Sequence, residues 1–357
     1  MCVRKIFSIL LGSALTLIAV NGEACTRVVY HGEDGLTITG RTMDWKDPMN
    51  TRLWLFPAGL KENGGAGKNA AAWTSRYGSV VVTSLNAAVS DGMNQKGLVA
   101  NMLWLNSSKY PDHCGADEKR LAISAWAQYF LDNFATVRDV LHSLKTHPVC
   151  LISAPIPGTD RFTTLHLSLS DSSGNSAILE YIDGNLVIHE GRQYQVLTND
   201  PEYSQQLAVA RYWEGIGGTR FLPGSNQAPD RFARASFYIH AIPNTASNRV
   251  GVAQVFSVLN NISVPMGIST PGHPNISTTR WRVVADQKDL KYYFNSTSSM
   301  DLFWVDLNKA DLKPGAPVRM LPMGQGETYN GDVVDKFVPS KPFQFAPVPP
   351  EVLAAYR

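Results

Sequence analysis

The junction at residues 21–25, Asn-Gly-Glu-Ala-Cys, constrains this chain most, because it decides which residue begins the folded protein. Arg4 and Lys5 precede an apolar run from Ile6 to Val20, and Gly22 and Ala24 put small residues three places and one place before Cys25. That is the layout of a cleavable secretory leader, too short and too interrupted by Gly and Ser for a membrane span. Its removal takes 24 of the 357 residues, keeps 333, and makes Cys25 the first of them. A cysteine with a free α-amino group carries a nucleophile and a candidate general base on one residue, so an N-terminal nucleophile is the leading expectation. Two other readings of Cys25 stand beside it. One is a lipid-anchored cysteine, although Gly22 stands where such sites favour an aliphatic residue; the other is a structural cysteine with cleavage elsewhere.

Formal net charge is only +2, and Lys and Arg are scattered along the chain. A surface that tracks phosphates needs clustered cations, so nucleic acid is not an expected partner. Beyond the leader no stretch of about 18 apolar residues occurs, so the expected product is exported, periplasmic or secreted, without a stable membrane anchor. Of four cysteines, Cys2 leaves with the leader. Cys114 and Cys150 could pair in an oxidising compartment, leaving Cys25 as the odd free thiol. There is no CxxC, HExxH, GxSxG or phosphate-cradling Gly-Lys-Ser/Thr pattern, and Gly215-Ile-Gly217-Gly218 lacks both a preceding strand and the third glycine of a dinucleotide loop. No metal or cofactor is expected, which leaves thiol chemistry.

Residues 26–30 and 36–40 read as two short strands around the turn cluster at 32–35. Further strand patterns fall at 79–85, 98–103, 163–169, 177–181, 186–189 and 194–197, with hairpin turns at 171–175 and 183–185. Helical spacing is clearest at 121–134 and 136–144, and recurs at 204–213, 231–240 and 250–259. Helices and strands come in batches, which favours an α+β fold with antiparallel sheets covered by helices. Segments 61–67 and 217–229, rich in Gly, Asn and Pro, read as surface loops, and 337–350, rich in Pro, as an extended C-terminal arm on a single domain spanning 25–357. No internal repeat is found.

An amide hydrolase working through a terminal cysteine needs a thiolate, a proton acceptor, positive charge beside the thiolate, and donors for the oxyanion. The α-amine, titrating near pH 8, suits the second role. Arg41 would lower the thiol pKa if placed nearby, and Asp44 could orient the ammonium. Taken singly, both also suit an exposed turn.

Five blocks in order carry a resemblance. Cys25-Thr-Arg, Gly40-Arg41-Thr-Met-Asp44-Trp45, Asp91-Gly92-Met93-Asn94-Gln95-Lys96-Gly97-Leu98, Leu197-Thr198-Asn199-Asp200-Pro201 and Asp230-Arg231-Phe232 resemble the signature of the choloylglycine hydrolase family, which includes bile salt hydrolases and penicillin V acylases. The resemblance implies the four-layer αββα sandwich of N-terminal nucleophile hydrolases, two antiparallel sheets between helical layers. It implies Cys25 as nucleophile, Arg41 and Asp44 beside it, Asn94 and Asn199 as the two site asparagines, and Arg231 as the later arginine. Asn94 and Asn199 have amide donors suited to an oxyanion hole, but each also stands in a favourable turn context. The family further implies a homotetramer, for which an extended C-terminal arm would suit subunit exchange.

Trp45, with Trp73 and Trp104, suggests an aromatic-walled pocket for a phenoxyacetyl group or an acyl chain. The exported form with Asp-Trp resembles the penicillin V acylase branch of Gram-negative bacteria, whose members are also associated with acyl-homoserine lactone deacylation. Bile salt hydrolysis is the alternative within the family. Outside it stand a lipid-anchored, non-catalytic envelope protein and a secreted, disulfide-stabilised binding domain in which Cys25 is paired.

Overall fold

The computed structural model describes residues 25–217, 221–268, 277–324 and 326–356. The expected leader at 1–24, with Cys2, lies outside the described residues, as does Gly218. Two large sheets face each other. The first runs, in spatial order, Val196–Leu197, Cys25–His31 (β1), Thr37–Trp45 (β2), Thr278–Asp286, Lys291–Ser296, Leu302–Asp306 and Asn330–Asp332, antiparallel except for its last pair. The second runs Asn185–Glu190, Ser176–Ile182, Leu165–Ser170, Val99–Trp104, Ala88–Asn94, Ser79–Ser84, Arg52–Phe56, Arg319–Met320 and Val338–Pro339, antiparallel throughout. Helices α1 (Trp126–Asn133) and α2 (Val137–Thr146) cover the second sheet. Helices α3 (Tyr203–Ile216), α4 (Ala228–Ala241) and α5 (Asn248–Ile262) form the layer on the first. Helix, sheet, sheet, helix is the expected αββα sandwich.

The two-residue period of a strand sorts β1 and β2 between these layers. Arg27 faces the second sheet, where its guanidinium donates to the Leu169 carbonyl at 3.1 Å and to Ser176 Oγ at 3.0 Å. Tyr30, of opposite parity, faces the helices and donates to the Pro243 carbonyl at 2.9 Å. On β2, Thr39 reaches Ser170 Oγ across the inter-sheet space at 2.7 Å, whereas Gly40 faces α5. A Cβ at Gly40 would meet Val255 Cγ1 at 2.5 Å, so only glycine lets α5 lie this close to the sheet. The α5 face that closes on it buries Val255, Val258, Leu259 and Ile262, each contributing roughly 1.5–3 kcal/mol by removal from water.

Several sequence expectations shift by a few residues, and some change type. The pattern at 121–134 is helical only from Trp126: Lys119–Ala122 is a strand, paired in parallel with Val149–Ile152, and Ile123–Ala125 is one 3-10 turn. Segment 61–67 is not all loop, because Lys61–Asn63 pairs with Ala72–Thr74. Asn94, read in a turn context, is the last residue of the central strand Ala88–Asn94. Cys114 and Cys150 form a disulfide, with Cα atoms 5.6 Å apart, so the odd thiol is Cys25. The C-terminal arm lies on its own chain. Ala346 donates to the Ala87 carbonyl at 2.9 Å and accepts from Ser124 Oγ at 2.7 Å, and the chain ends in helix α6 (Pro350–Ala355). Among the described residues no helix is long and apolar enough to cross a membrane.

Candidate active site

The hairpin register brings Cys25 and Arg41 together. Cys25 pairs with Met43, which leaves Arg41 as the diagonal neighbour two residues along on the same face. Its NH2 lies 3.6 Å from the Cys25 sulfur, and Met43 Sδ lies 3.8 Å from that sulfur. The guanidinium is fixed from behind. NH1 donates to the Ser90 carbonyl at 2.7 Å and to Asp91 Oδ2 at 3.1 Å, NH2 donates to the Met102 carbonyl at 2.6 Å, and the group lies 5.1 Å from the Trp281 ring centroid.

On the opposite face of the hairpin, Arg231 enters from the first turn of α4. Its NH1 donates to the Cys25 carbonyl at 2.6 Å and to Thr26 Oγ1, and its NH2 donates to Asn199 Oδ1 at 2.8 Å. Asn199 Oδ1 also accepts from the Cys25 backbone nitrogen at 2.7 Å. Two donors on one oxygen, with Nδ2 donating to the Trp104 carbonyl at 2.7 Å, fix the amide's orientation. Asp44 is buried beside them, accepting from Thr279 at 2.6 Å and Thr42 at 3.2 Å, with Arg231 NH1 3.9 Å away. Thr42 in turn accepts from the Thr26 backbone nitrogen at 3.1 Å.

Burial pushes the Cys25 thiol up from its ordinary range. Arg41 opposes that shift, Asp44's charge adds to it, and a hydrogen bond from the Asp44 backbone works with Arg41. The Asp44 carboxyl is likewise raised by burial, against the pull of Arg231 and the two threonine hydroxyls. Burial lowers Arg231, and Asp44 opposes it. The result is a protonated nucleophile beside a fixed guanidinium, a site that needs a nearby base to fire.

The sulfur opens on a cavity of about 110 Å³ walled by Met43, Trp45, Met49, Trp104, Ile156 and Leu165. The Trp45 and Trp104 rings meet edge to face at 5.4 Å. Two expected site residues are elsewhere. Asn94 spends its amide on a turn: Nδ2 donates to the Leu131 and Phe134 carbonyls at 2.8 Å, and Oδ1 accepts from the Lys96 and Leu98 nitrogens. The turn reading of Asn94 therefore holds and its placement at the thiol does not. Trp73 sits on the α1 side of the second sheet, donating to Asp132 at 2.7 Å and packing on Tyr129. It does not wall the cavity.

Sequence reasoning passed over Asp91, which receives Arg41, Asn101 at 2.8 Å and Tyr292 at 2.6 Å. The signal lay in the same block as Asn94: a buried arginine requires a carboxylate, and Asp91 opens that block. Met43, opposite Cys25, was also missed, since nothing in an apolar residue's identity marks it as a neighbour of a nucleophile.

A four-layer αββα sandwich whose first strand begins at a buried cysteine, flanked by Arg41, Asp44, Asn199 and Arg231, has the architecture of an N-terminal nucleophile hydrolase. Residues 25–320 match the linear amide C-N hydrolases, choloylglycine hydrolase family, and the chain belongs to that family. It is 46% identical to a penicillin V acylase of Pectobacterium atrosepticum over 97% of this chain and 96% of that protein. A penicillin V acylase structure from Agrobacterium tumefaciens superposes with a TM-score of 0.84 at 49% identity, covering 91% of this chain and all of that one. A bile salt hydrolase/transferase of Clostridium perfringens is 24% identical over 81% of this chain and 94% of that protein. The protein is thus a linear amide hydrolase, and the non-catalytic and paired-cysteine readings fall away.

Proposed function

We propose that removal of residues 1–24 during export to the periplasm or medium frees the Cys25 amine, and that the enzyme then hydrolyses amides with an aryloxyacetyl or slim acyl group, as a penicillin V acylase does. The observation that carries this reading is the cavity at the sulfur. At about 110 Å³, with Trp45 and Trp104 in its wall, it suits one ring or a narrow chain. An apolar cavity of about 150 Å³ holds a benzene. Two indoles meeting edge to face at the cavity wall favour a planar aryl group over a saturated steroid nucleus. The larger of the two sequence likenesses points the same way.

In the proposed mechanism the freed amine, with a reference pKa of about 7.7–8, takes the thiol proton. Asn199 Oδ1 holds that nitrogen in place, and Arg41 favours the thiolate. The sulfur adds to the amide carbonyl, and the oxyanion accepts from the second Nδ2 hydrogen of Asn199 and from backbone donors. Collapse breaks the C–N bond, the leaving amine takes the proton from the Cys25 ammonium, and a thioester remains. Water, giving its proton to the α-amine, hydrolyses that thioester and restores the thiol. The same acyl cavity extends the reading to acyl-homoserine lactones, and a homotetramer is proposed with it on family grounds.

The test is intact mass and N-terminal sequencing of the exported protein, with thiol labelling, sedimentation, and turnover of penicillin V, an acyl-homoserine lactone and a conjugated bile salt. A chain starting at a labelable Cys25 and acting on penicillin V supports the reading. A diacylglycerol-modified or internal Cys25, or preference for the bile salt, overturns it.

A further inference from the structure

The C-terminal arm lies beyond residues 25–320, the segment that matches the family, yet it reaches the acyl cavity. Ala346 lines that cavity together with Ala87, Ile123, Ser124 and Ala154. Both main-chain groups of Ala346 are held by this lining: its nitrogen donates to the Ala87 carbonyl at 2.9 Å, and its carbonyl accepts from Ser124 Oγ at 2.7 Å. The arm is docked on either side of this point. Before it, the Phe343 ring packs on Trp54 with centroids 5.5 Å apart. After it, the Val348 nitrogen donates to the Gly65 carbonyl at 2.8 Å, and the buried Val348 side chain packs with Ala66, Ala122, Cys150 and Ile152. Strand Ala88–Asn94 sets the separation from the nucleophile. Arg41, whose NH2 lies 3.6 Å from the Cys25 sulfur, donates through NH1 to the Ser90 carbonyl. Ala87 stands three residues before Ser90, about 10 Å back along the chain at the rise of a strand. Cys25 and Ala346 therefore line the cavity from different ends.

We propose that Ala346 is the end-stop of the acyl cavity and, with the arm that carries it, sets the longest acyl group the enzyme accepts. An acyl group bonded to the sulfur extends from the Cys25 end, past Trp45 and Trp104, toward the end that the arm closes. The stop does not yield, because two hydrogen bonds fix the Ala346 main chain and Phe343 and Val348 anchor the arm before and after it. Close packing makes a cavity sensitive to a change of even one methylene in its wall. Since both bonds of Ala346 are made by its main chain, its side chain can be exchanged without breaking either, so a larger residue shortens the cavity and glycine lengthens it. The inference rests on the proposed acyl reading and adds a length limit to it.

The experiment measures kcat/KM on the processed enzyme for N-acyl glycines from butanoyl to dodecanoyl. Wild type should improve with chain length up to an optimum and then decline. Ala346→Leu should move the optimum about two carbons shorter. It should also cut the kcat/KM of the wild-type optimum, relative to the butanoyl compound, about tenfold, the worth of two methylenes that no longer find room. Ala346→Gly should move the optimum longer, and it decides the matter if the leucine variant does not fold. A profile that neither variant moves, or a loss equal at every length, overturns the proposal. Phenoxyacetyl-glycine in the same assay tests the acyl reading apart: if wild type does not cleave it, that reading fails, and the length profile still decides for or against Ala346. If wild type cleaves none of these compounds, the profile is read as binding of the free acids to the Cys25→Ala protein by tryptophan fluorescence. A shorter optimum on adding Ala346→Leu, or a longer one on adding Ala346→Gly, then upholds the end-stop, and an unmoved one overturns it.

Discussion

Arg41 NH1 sits 3.1 Å from Asp91 Oδ2 with both side chains buried, and its NH2 sits 3.6 Å from the Cys25 sulfur. The guanidinium is therefore shared between the Asp91 carboxyl, which burial raises against the pull of Arg41, and a thiol that burial also raises. Asp91→Asn removes the competing charge, so the Cys25 thiol pKa should fall and alkylation by iodoacetamide should reach half its maximal rate at lower pH. The same change leaves the Arg41 charge buried without its counter-ion, at a cost of about 3–5 kcal/mol in stability. A lower melting temperature with an unmoved alkylation profile would show that Asp91 holds Arg41 without tuning the thiol.

Asn199 and Asn94 make opposite predictions although both stand in turn contexts. Asn199→Ala removes the acceptor for the Cys25 nitrogen and Arg231 and the proposed oxyanion donor, so kcat should fall about 10²- to 10³-fold. Asn94→Ala removes four hydrogen bonds that close its own turn and tie it to the end of α1. It should lower the melting temperature, by a few kcal/mol of stability, and leave kcat of the folded enzyme within about twofold. Steady-state kinetics alongside thermal unfolding distinguishes the two, and a large kcat loss in Asn94→Ala at unchanged stability would return Asn94 to the chemistry.

What was legible followed from local rules. The hairpin of β1 and β2 showed in two short strand runs around the turn cluster at 32–35, α2 in the helical spacing at 136–144, and the turn after Ser170 in the Asp-Ser-Ser-Gly run. What failed depended on partners far along the chain. Leu121 and Ala122 have helical spacing, yet they lie opposite Leu151 and Ile152 in a parallel ladder that no local window contains. Strands Thr278–Asp286 and Lys291–Ser296 went unread although they form the middle of the first sheet. Asn94 was drawn to the thiol by the block it stands in, where Asp91 three residues earlier is the residue that reaches Arg41. Trp73 and Trp104 look alike in sequence, and only the packing of α1 places the first on the far side of a sheet.

The raised thiol pKa of Cys25 has a sign that unfolding can read. A folded-state acid held above its unfolded value keeps its proton longer, so the stability it contributes is complete below the unfolded pKa near 9 and is lost as pH rises beyond it. Thermal unfolding of the unprocessed chain should be independent of this group to about pH 8.5 and decline above it. Cys25→Ala should remove that part of the decline. Arg41→Lys keeps the charge but loses the fork that holds Ser90, Asp91 and Met102 together, so the thiol should alkylate on the order of tenfold more slowly at pH 8, one pKa unit higher.

Trp45 and Trp73 separate the pocket from the core. Trp45→Ala takes away one of two indoles that meet over the cavity, so kcat/KM for phenoxyacetyl amides should drop about tenfold relative to a short acetyl amide, the loss expected for an aromatic wall worth about 1.5 kcal/mol. Trp73→Phe leaves the cavity intact and removes a donor from Asp132, a carboxyl that burial already pushes up to about 7. With that donor gone the carboxyl should titrate higher still. Because a raised folded-state pKa means stability lost as pH rises from the unfolded value near 4 through 7, the variant should lose on the order of 1–2 kcal/mol more than wild type between pH 5 and 8. Its ratio of phenoxyacetyl to acetyl turnover should not move. A shifted acyl ratio in Trp73→Phe, or an unshifted one in Trp45→Ala, would place the acyl group somewhere other than the cavity at the Cys25 sulfur.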